Sequence, residues 1–291
     1  MGDHFLQKIL YAQPTRSNQI ILSPKGLVAT SGMLDASLLA LLLNEQVSAI
    51  RVTGFYPADL CALLSDWLFN HKNRTVYGQN AVDPNTGKIE FKDYFVDRIG
   101  EPRNRLIGKP ADTPEWEEYF RKGETLRIEI EQLTRYRHPI QMVIDMINRN
   151  WAHGAMREEI HGRPSPAGIG RVTRPARSDE LHPMEDPHVD GPWPCALHLS
   201  MNIYFSLPEH GGELETFCGP TLSAEEMQKI RFDHKFRESH LESELVKPEV
   251  GDLIMINTRR PHAVMAFSEG PRVTYASFVM YDPERPLRFY S

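Results

Sequence analysis

Leu197-His198-Leu199-Ser200-Met201-Asn202-Ile203-Tyr204-Phe205-Ser206 alternates apolar and polar side chains without a break. Successive side chains of a strand point to opposite faces, so this stretch predicts a long strand with two unlike sides. Leu197, Leu199, Met201, Ile203 and Phe205 form an apolar side that needs a packing partner. His198, Ser200, Asn202, Tyr204 and Ser206 form a wholly polar one. Amphipathic helical patterns fill much of the chain upstream, and they supply that partner. The polar side is then free to line a cavity.

Outward from this strand, the C-terminal half keeps a short-strand rhythm. Apolar-alternating runs at 169–173, 196–206, 212–217, 253–257, 262–267 and 272–281 are separated by Gly, Pro and Asp clusters. Several strands at such spacing predict a sandwich or barrel. A charged insert at 221–244 interrupts them and reads as partly helical. The N-terminal half reads differently. Residues 28–50 carry an apolar helical pattern, 50–55 a short strand, 57–68 a second helix, and 113–151 a long helical stretch broken near His138-Pro139. Residues 70–112 are mixed, with turn signals at Asp83-Pro84-Asn85-Thr86-Gly87 and Gly100-Glu101-Pro102, and are the expected place for an irregular lid. The expected architecture is one α+β domain over 1–291. Residues 1–160 give mostly helical support, and the β core occupies 168–282.

Composition narrows the function. A net charge of −6 disfavours a nucleic-acid binder, which is usually basic. No apolar run reaches the roughly 20 residues that span a bilayer, and Met1-Gly2-Asp3-His4-Phe5-Leu6 lacks a signal-peptide pattern. Three cysteines, Cys61, Cys195 and Cys218, cannot build a paired disulfide framework. A cytoplasmic protein with a small-molecule partner, and neither nucleic acid nor membrane, is expected. Oligomeric state is not legible.

The sharpest chemical feature is Pro187-His188-Val189-Asp190-Gly191. On extended chain, His188 and Asp190 offer an imidazole and a carboxylate to one point. Two imidazoles and one carboxylate on one face of an octahedron leave positions open for substrates of a non-haem iron site. His262 is the candidate third ligand. It follows the turn Pro248-Glu249-Val250-Gly251-Asp252 and the short strand 253–257. The spacing alone is weak evidence, because His240-Leu241-Glu242 repeats it in the charged insert, where it reads as a solvated helix face. Ten residues beyond His262, Arg272 and Thr274 share a strand face. Arginine suits bidentate recognition of a carboxylate.

Taken together, these residues resemble the Fe(II)- and 2-oxoglutarate-dependent dioxygenases. The resemblance rests on His188-x-Asp190, Gly211-Gly212-Glu213-Leu214, Gly251-Asp252, His262-Ala263-Val264 and Gly270-Pro271-Arg272-Val273-Thr274, and covers about 168–282. It implies a double-stranded β-helix, a jelly-roll or cupin-like core. It implies that His188, Asp190 and His262 ligate Fe(II), and that Arg272, assisted by Thr274, holds the distal carboxylate of 2-oxoglutarate. With O2, the co-substrate would yield succinate and CO2 while a C–H bond of a free amino acid or biosynthetic intermediate is hydroxylated. Because Asp190 is present, halogenation is not expected. Desaturation or oxidative ring closure uses the same iron site, and a protein-modifying hydroxylase is a further alternative. A zinc hydrolase would use the same three ligands, and a non-catalytic jelly-roll binder would need none. Asn202 and Tyr204, on the polar strand face, are the candidates for cofactor contacts. Trp193 and Arg174 are the candidates for the substrate; Arg174 belongs to a triplet with Arg171 and Arg177 that suits an anionic group.

Overall fold

The structure is a computed structural model that describes residues 19–82, 88–176, 187–190, 194–223, 225–226, 236 and 241–291. Trp193, Arg177, His240 and the Asp83–Gly87 turn lie outside the described residues. In chain order the first half comprises β1 (Ile21–Leu22), β2 (Val28–Ser31), α1 (Ala36–Leu43), β3 (Ala49–Val52), α2 (Ala58–Phe69), β4 (Thr75–Val82), β5 (Ile89–Ile99), α3 (Pro114–Leu133) and α4 (Pro139–Asn150). The second half comprises β6 (Ala155–Arg157), β7 (Glu159–Ile160), β8 (Arg163–Pro164), β9 (Ile169–Thr173), β10 (Leu197–Ser206), β11 (Leu214–Phe217) and β12 (Ser243–Val246). It ends with β13 (Leu253–Asn257), β14 (His262–Val264), β15 (Arg272–Tyr281) and β16 (Leu287–Tyr290).

Two sheets carry the β core. The main sheet runs β1-β2-β3-β13-β10-β15-β9-β5-β4, and the smaller one β12-β11-β14. From β9 onward the chain passes back and forth between them, so strands remote in sequence become neighbours. β10 lies between β13 and β15, antiparallel to both, with Asn202 opposite Ile254 on one side and Ala276 on the other. Directly opposed residues share a face. The outer face of the main sheet, with Leu199, Met201, Ile203, Leu253, Met255, Val273, Tyr275 and Val279, is buried against the helices. The opposite face meets the smaller sheet, where Tyr204, Ile254 and Ile256 pack on Leu214 and Val246. The two-sided reading of β10 is therefore correct, and its polar face looks into the space between the sheets.

The helices form where the local chemistry starts and stops them. The Asp35 carboxylate caps α1, accepting from Leu38 N at 2.9 Å. Pro114 and Pro139 stand in the first turns of α3 and α4, where a missing N–H costs nothing. His138 is extended, as a residue before proline prefers, which separates the two helices. The apolar side of α4 (Ile140, Val143, Ile144, Ile147) recurs at helical spacing and is buried. No helix among the described residues is long and apolar enough to cross a membrane.

Two expectations need correction. Residues 28–50 are not one helical run but β2, α1 and β3. Val28-Ala29-Thr30-Ser31 pairs in parallel with β3, which in turn pairs with β13, so the sheet captures both ends of the segment. Residues 70–112 are not an irregular lid. β4 and β5 form an antiparallel hairpin whose Val96–Ile99 end pairs with β9. Six strands of the main sheet, β1 to β5 and β6, which joins it through β16, thus come from residues 1–160, the half expected to be mostly helical. The charged insert is described only in part: residues 225–226 are helical, and its end enters the strand Ser243–Val246.

Candidate metal centre

The centre is built on a backbone seam. His188 and His262 exchange two hydrogen bonds, His188 N to His262 O and His262 N to His188 O, both 3.0 Å. The two imidazoles thereby stand side by side, with ring centroids 4.6 Å apart. Two residues on, Asp190 N donates to Thr258 O at 3.0 Å, which turns the carboxylate toward the same point. Nitrogen and oxygen ligand atoms of His188, Asp190 and His262 all lie within 4.8 Å of one another, and His262 Nε2 is 3.7 Å from Asp190 Oδ2. Three such donors around one point suit a divalent transition metal with open positions.

Neighbouring groups fix the donors. His262 Nδ1 lies 3.0 Å from the Arg260 carbonyl. A carbonyl only accepts, so Nδ1 carries the proton and Nε2 presents its lone pair to the metal point. Burial, followed by the charge of His188, pushes the His262 imidazole down to about 4 against the opposing pull of Asp190, so it is neutral at pH 7. Burial would raise the Asp190 carboxyl, but the imidazoles of His262 and His188 more than offset it and hold the group below its ordinary value.

His198, on the polar face of β10, is not a ligand. Its Nδ1 lies 2.6 Å from Thr258 Oγ1, which itself donates to the His198 carbonyl at 3.0 Å. Nδ1 must therefore donate, and His198 Nε2 accepts from the Tyr290 hydroxyl at 2.7 Å. Thr258 links this pair to the carbonyl that positions Asp190. Thr258, Tyr290 and the Arg260 carbonyl were not foreseen: two act through backbone carbonyls, and Tyr290 reaches the site from the last strand.

A second element lies on the same inner face. Arg272 is buried, its Nη2 donates to Tyr204 Oη at 3.3 Å, and its guanidinium carbon sits 4.9 Å from the Tyr204 ring centroid. Arg272 has no carboxylate partner among the described residues, and its Nε lacks a hydrogen-bond partner. Thr274 stands directly across from Tyr204, and its buried Oγ1 is likewise unpartnered. Buried cations are ordinarily paired. Two orphaned donors on one strand face define a place for an anion. Burial lowers the Arg272 guanidinium from its ordinary value, as does the charge of Arg171. The Gly211-Gly212 turn, with φ of 78° and 74°, passes close by. A Cβ on Gly211 would come within 2.1 Å of the Ala266 carbonyl, so only glycine fits.

The remaining candidates separate. Asn202 lies on the inner face and donates to Ser200 Oγ at 3.2 Å. Arg174 does not face the site with a free guanidinium: it is tied to both Asp93 oxygens at 2.8 and 2.6 Å and lies 3.2 Å from Asp97. The expectation that it holds substrate is withdrawn, because β5 supplies its counter-charges. Arg171, the first of that triplet, has no such partner among the described residues.

No protein-family model matches the chain, and no curated protein matches it in sequence. Solved structures do match in shape. An N-substituted L-amino acid dioxygenase from Burkholderia ambifaria AMMD in complex with alpha-KG (2-oxoglutarate) is 12% identical with a TM-score of 0.52. A structure of such a dioxygenase from the same organism, described without that ligand, is 15% identical with a TM-score of 0.53. Each alignment covers 88% of this chain and 91% of the other. Overlap of this extent at such low identity establishes a common scaffold, and the chain has the fold of an N-substituted L-amino acid dioxygenase.

Proposed function

We propose that the chain is an Fe(II)- and 2-oxoglutarate-dependent oxygenase that hydroxylates a C–H bond of a small molecule, an amino acid or a biosynthetic intermediate. Its core is then a double-stranded β-helix: β9, β10, β13 and β15 form one side, and the other is β11, β12, β14 and the His188 segment bridged to β14. One observation carries the reading. A three-donor metal site on the smaller-sheet side is accompanied, on the inner face of the main sheet, by a buried arginine with no carboxylate partner among the described residues and an unpartnered threonine hydroxyl. A zinc hydrolase or a structural metal site gives that arginine nothing to do.

His188, Asp190 and His262 would hold Fe(II). Arg272 and Thr274 would hold the far carboxylate of 2-oxoglutarate. When bound with O2, the pair supplies the oxidising power for C–H cleavage and releases succinate and CO2. The chain's own contribution is placement. The Arg260 carbonyl keeps the proton on His262 Nδ1, so Nε2 is available without a proton loss. Tyr204 orients Arg272 by hydrogen bond and ring contact, leaving Nε and the remaining guanidinium edge for the carboxylate. The likeness to an amino acid dioxygenase supports small carboxylic acids as the first substrates to try.

The test is succinate release from 2-oxoglutarate with Fe(II) and O2, scored over candidate substrates with amino acids first. Substrate-stimulated release that disappears in Asp190→Ala supports the reading. Anaerobic, reduced protein that retains stoichiometric zinc and binds no 2-oxoglutarate overturns it.

A further inference from the structure

Arg171 is the third member of a set of arginines around β9, and it is unlike the other two. Arg98 stands directly opposite it on β5 and is paired with Glu101 at 3.1 Å. Arg174 is held by Asp93 and Asp97. Beyond its backbone pairing, the Arg171 guanidinium makes no hydrogen bond or ion pair among the described residues. It is only partly buried, so solutes can reach it.

Its direction sets it apart from Arg272. Arg171 starts opposite Thr274, on the inner face of the main sheet. Its guanidinium carbon lies 6.0 Å from the ring centroid of Phe278. Phe278 is four residues along β15 from Thr274, roughly 13 Å at strand rise. There it packs on His198, with centroids 5.0 Å apart, and His198 shares Thr258 with Asp190. Arg171 thus leans along β15 toward Phe278 and His198, on the side of Thr258 and Asp190, whereas Arg272 leans onto Tyr204. The two guanidinium groups therefore rest on different rings of the inner face, Phe278 and Tyr204.

We infer that Arg171 is the seat of a carboxylate on the primary substrate, which it holds beside the metal while Arg272 holds the co-substrate. The inference rests on the oxygenase reading and specifies its substrate as a small carboxylic acid. A single unpaired guanidinium matches a singly charged carboxylate better than a phosphate monoester, which carries nearly two charges. Phe278 and the apolar part of the Arg171 stem leave a neutral wall beside that anchor, suited to the hydrocarbon part of an amino acid.

The test uses wild type, Arg171→Gln and Arg171→Lys, each assembled with Mn(II) and 2-oxoglutarate under anaerobic conditions so that binding is measured without turnover. The probes are the L-amino acids, their N-acetyl derivatives, the corresponding amides, and phosphoserine. Calorimetry should show acids that bind wild type about 10- to 100-fold more tightly than their amides, the range of a charge-assisted hydrogen-bond pair. Arg171→Gln should lose that preference and Arg171→Lys keep part of it, while both keep wild-type affinity for Mn(II) and 2-oxoglutarate. The assignment is overturned if no acid is preferred over its amide, if phosphoserine is the tightest probe, or if Arg171→Gln loses 2-oxoglutarate instead. Wild type that binds neither Mn(II) nor 2-oxoglutarate overturns the oxygenase reading itself, a result distinct from intact cofactor binding without acid preference.

Discussion

Replacing Arg272 by methionine should make the unliganded protein more stable and the liganded protein less so. Methionine matches the length of the arginine stem without its charge. In the unliganded fold, burying the guanidinium with Nε unpartnered costs on the order of 1–3 kcal/mol or more. Against this stand one long hydrogen bond to Tyr204, about 1 kcal/mol, and a ring contact at 4.9 Å of similar size. Exchanging a poorly paired buried charge for an apolar side chain commonly gains about 1–4 kcal/mol; the low end, near 1–2, is expected here. For a chain of this size that is a rise of roughly 2–3 °C in Tm. With 2-oxoglutarate present the sign reverses. A buried carboxylate that loses its arginine loses about 2–5 kcal/mol of binding, roughly 30- to several thousand-fold in Kd. Scanning calorimetry with and without Mn(II) and 2-oxoglutarate separates the two effects. At ligand near 100 times the wild-type Kd, wild type should gain about 2.7 kcal/mol and Arg272→Met about 0.9 kcal/mol or less. An unliganded variant that melts below wild type, or one still stabilised fully by 2-oxoglutarate, would refute the assignment of Arg272 as an unpaired anion seat.

Two further outcomes follow from the fold. Asp252 is buried and accepts from Arg51 Nε at 2.6 Å, Gly54 N at 2.8 Å and Glu249 N at 2.8 Å, tying the turn before β13 to β3. Asp252→Ala should cost about 2–4 kcal/mol in urea unfolding, because it removes the acceptor of Gly54 N and Glu249 N and leaves Arg51 only its pair with exposed Glu249; a loss below about 1 would show the turn holds without it. Stability should also fall with acid: burial lowers His198 to about 4, His262 to about 4 and His138 to about 3, all below an unfolded value near 6.5. The unfolded chain therefore takes up protons first, so stability is complete above about pH 6.5 and drains as pH falls toward these folded values. Between pH 7 and pH 5 each of the three costs on the order of 2 kcal/mol. Equal urea midpoints at the two pH values would contradict their burial as neutral groups.

The C-terminal half was legible because its chemistry is local. β10 announces both faces in its alternation, and His188-x-Asp190 converges by strand geometry alone. The N-terminal strands were hidden for a physical reason. Val28–Ser31 sits next to an apolar run, and four residues cannot establish a period against the helical pattern that follows. The β4–β5 hairpin is charged and partly exposed, so its pairing with β9 rather than its burial makes it a strand. The Arg171, Arg174 pair shows the limit most clearly. Their spacing marks both as anion candidates. Only Asp93 and Asp97, some 80 residues upstream in sequence and adjacent in the sheet, commit Arg174 and leave Arg171 available.

The seam between His188 and His262 has a thermodynamic consequence. The segment at 187–190 joins the smaller sheet through one bridge of two backbone hydrogen bonds, and Asp190 is fastened by one more to Thr258. An ion held by side chains from both sides of that bridge is a cross-link between them. Closing the seam and gathering the ligands are then one equilibrium viewed from two ends, so each must strengthen the other by the same factor. With a metal held as proposed, a substitution that loosens the bridge should weaken its affinity without touching a ligand, and a chelator should act on the edge of the smaller sheet as a mild, local denaturant.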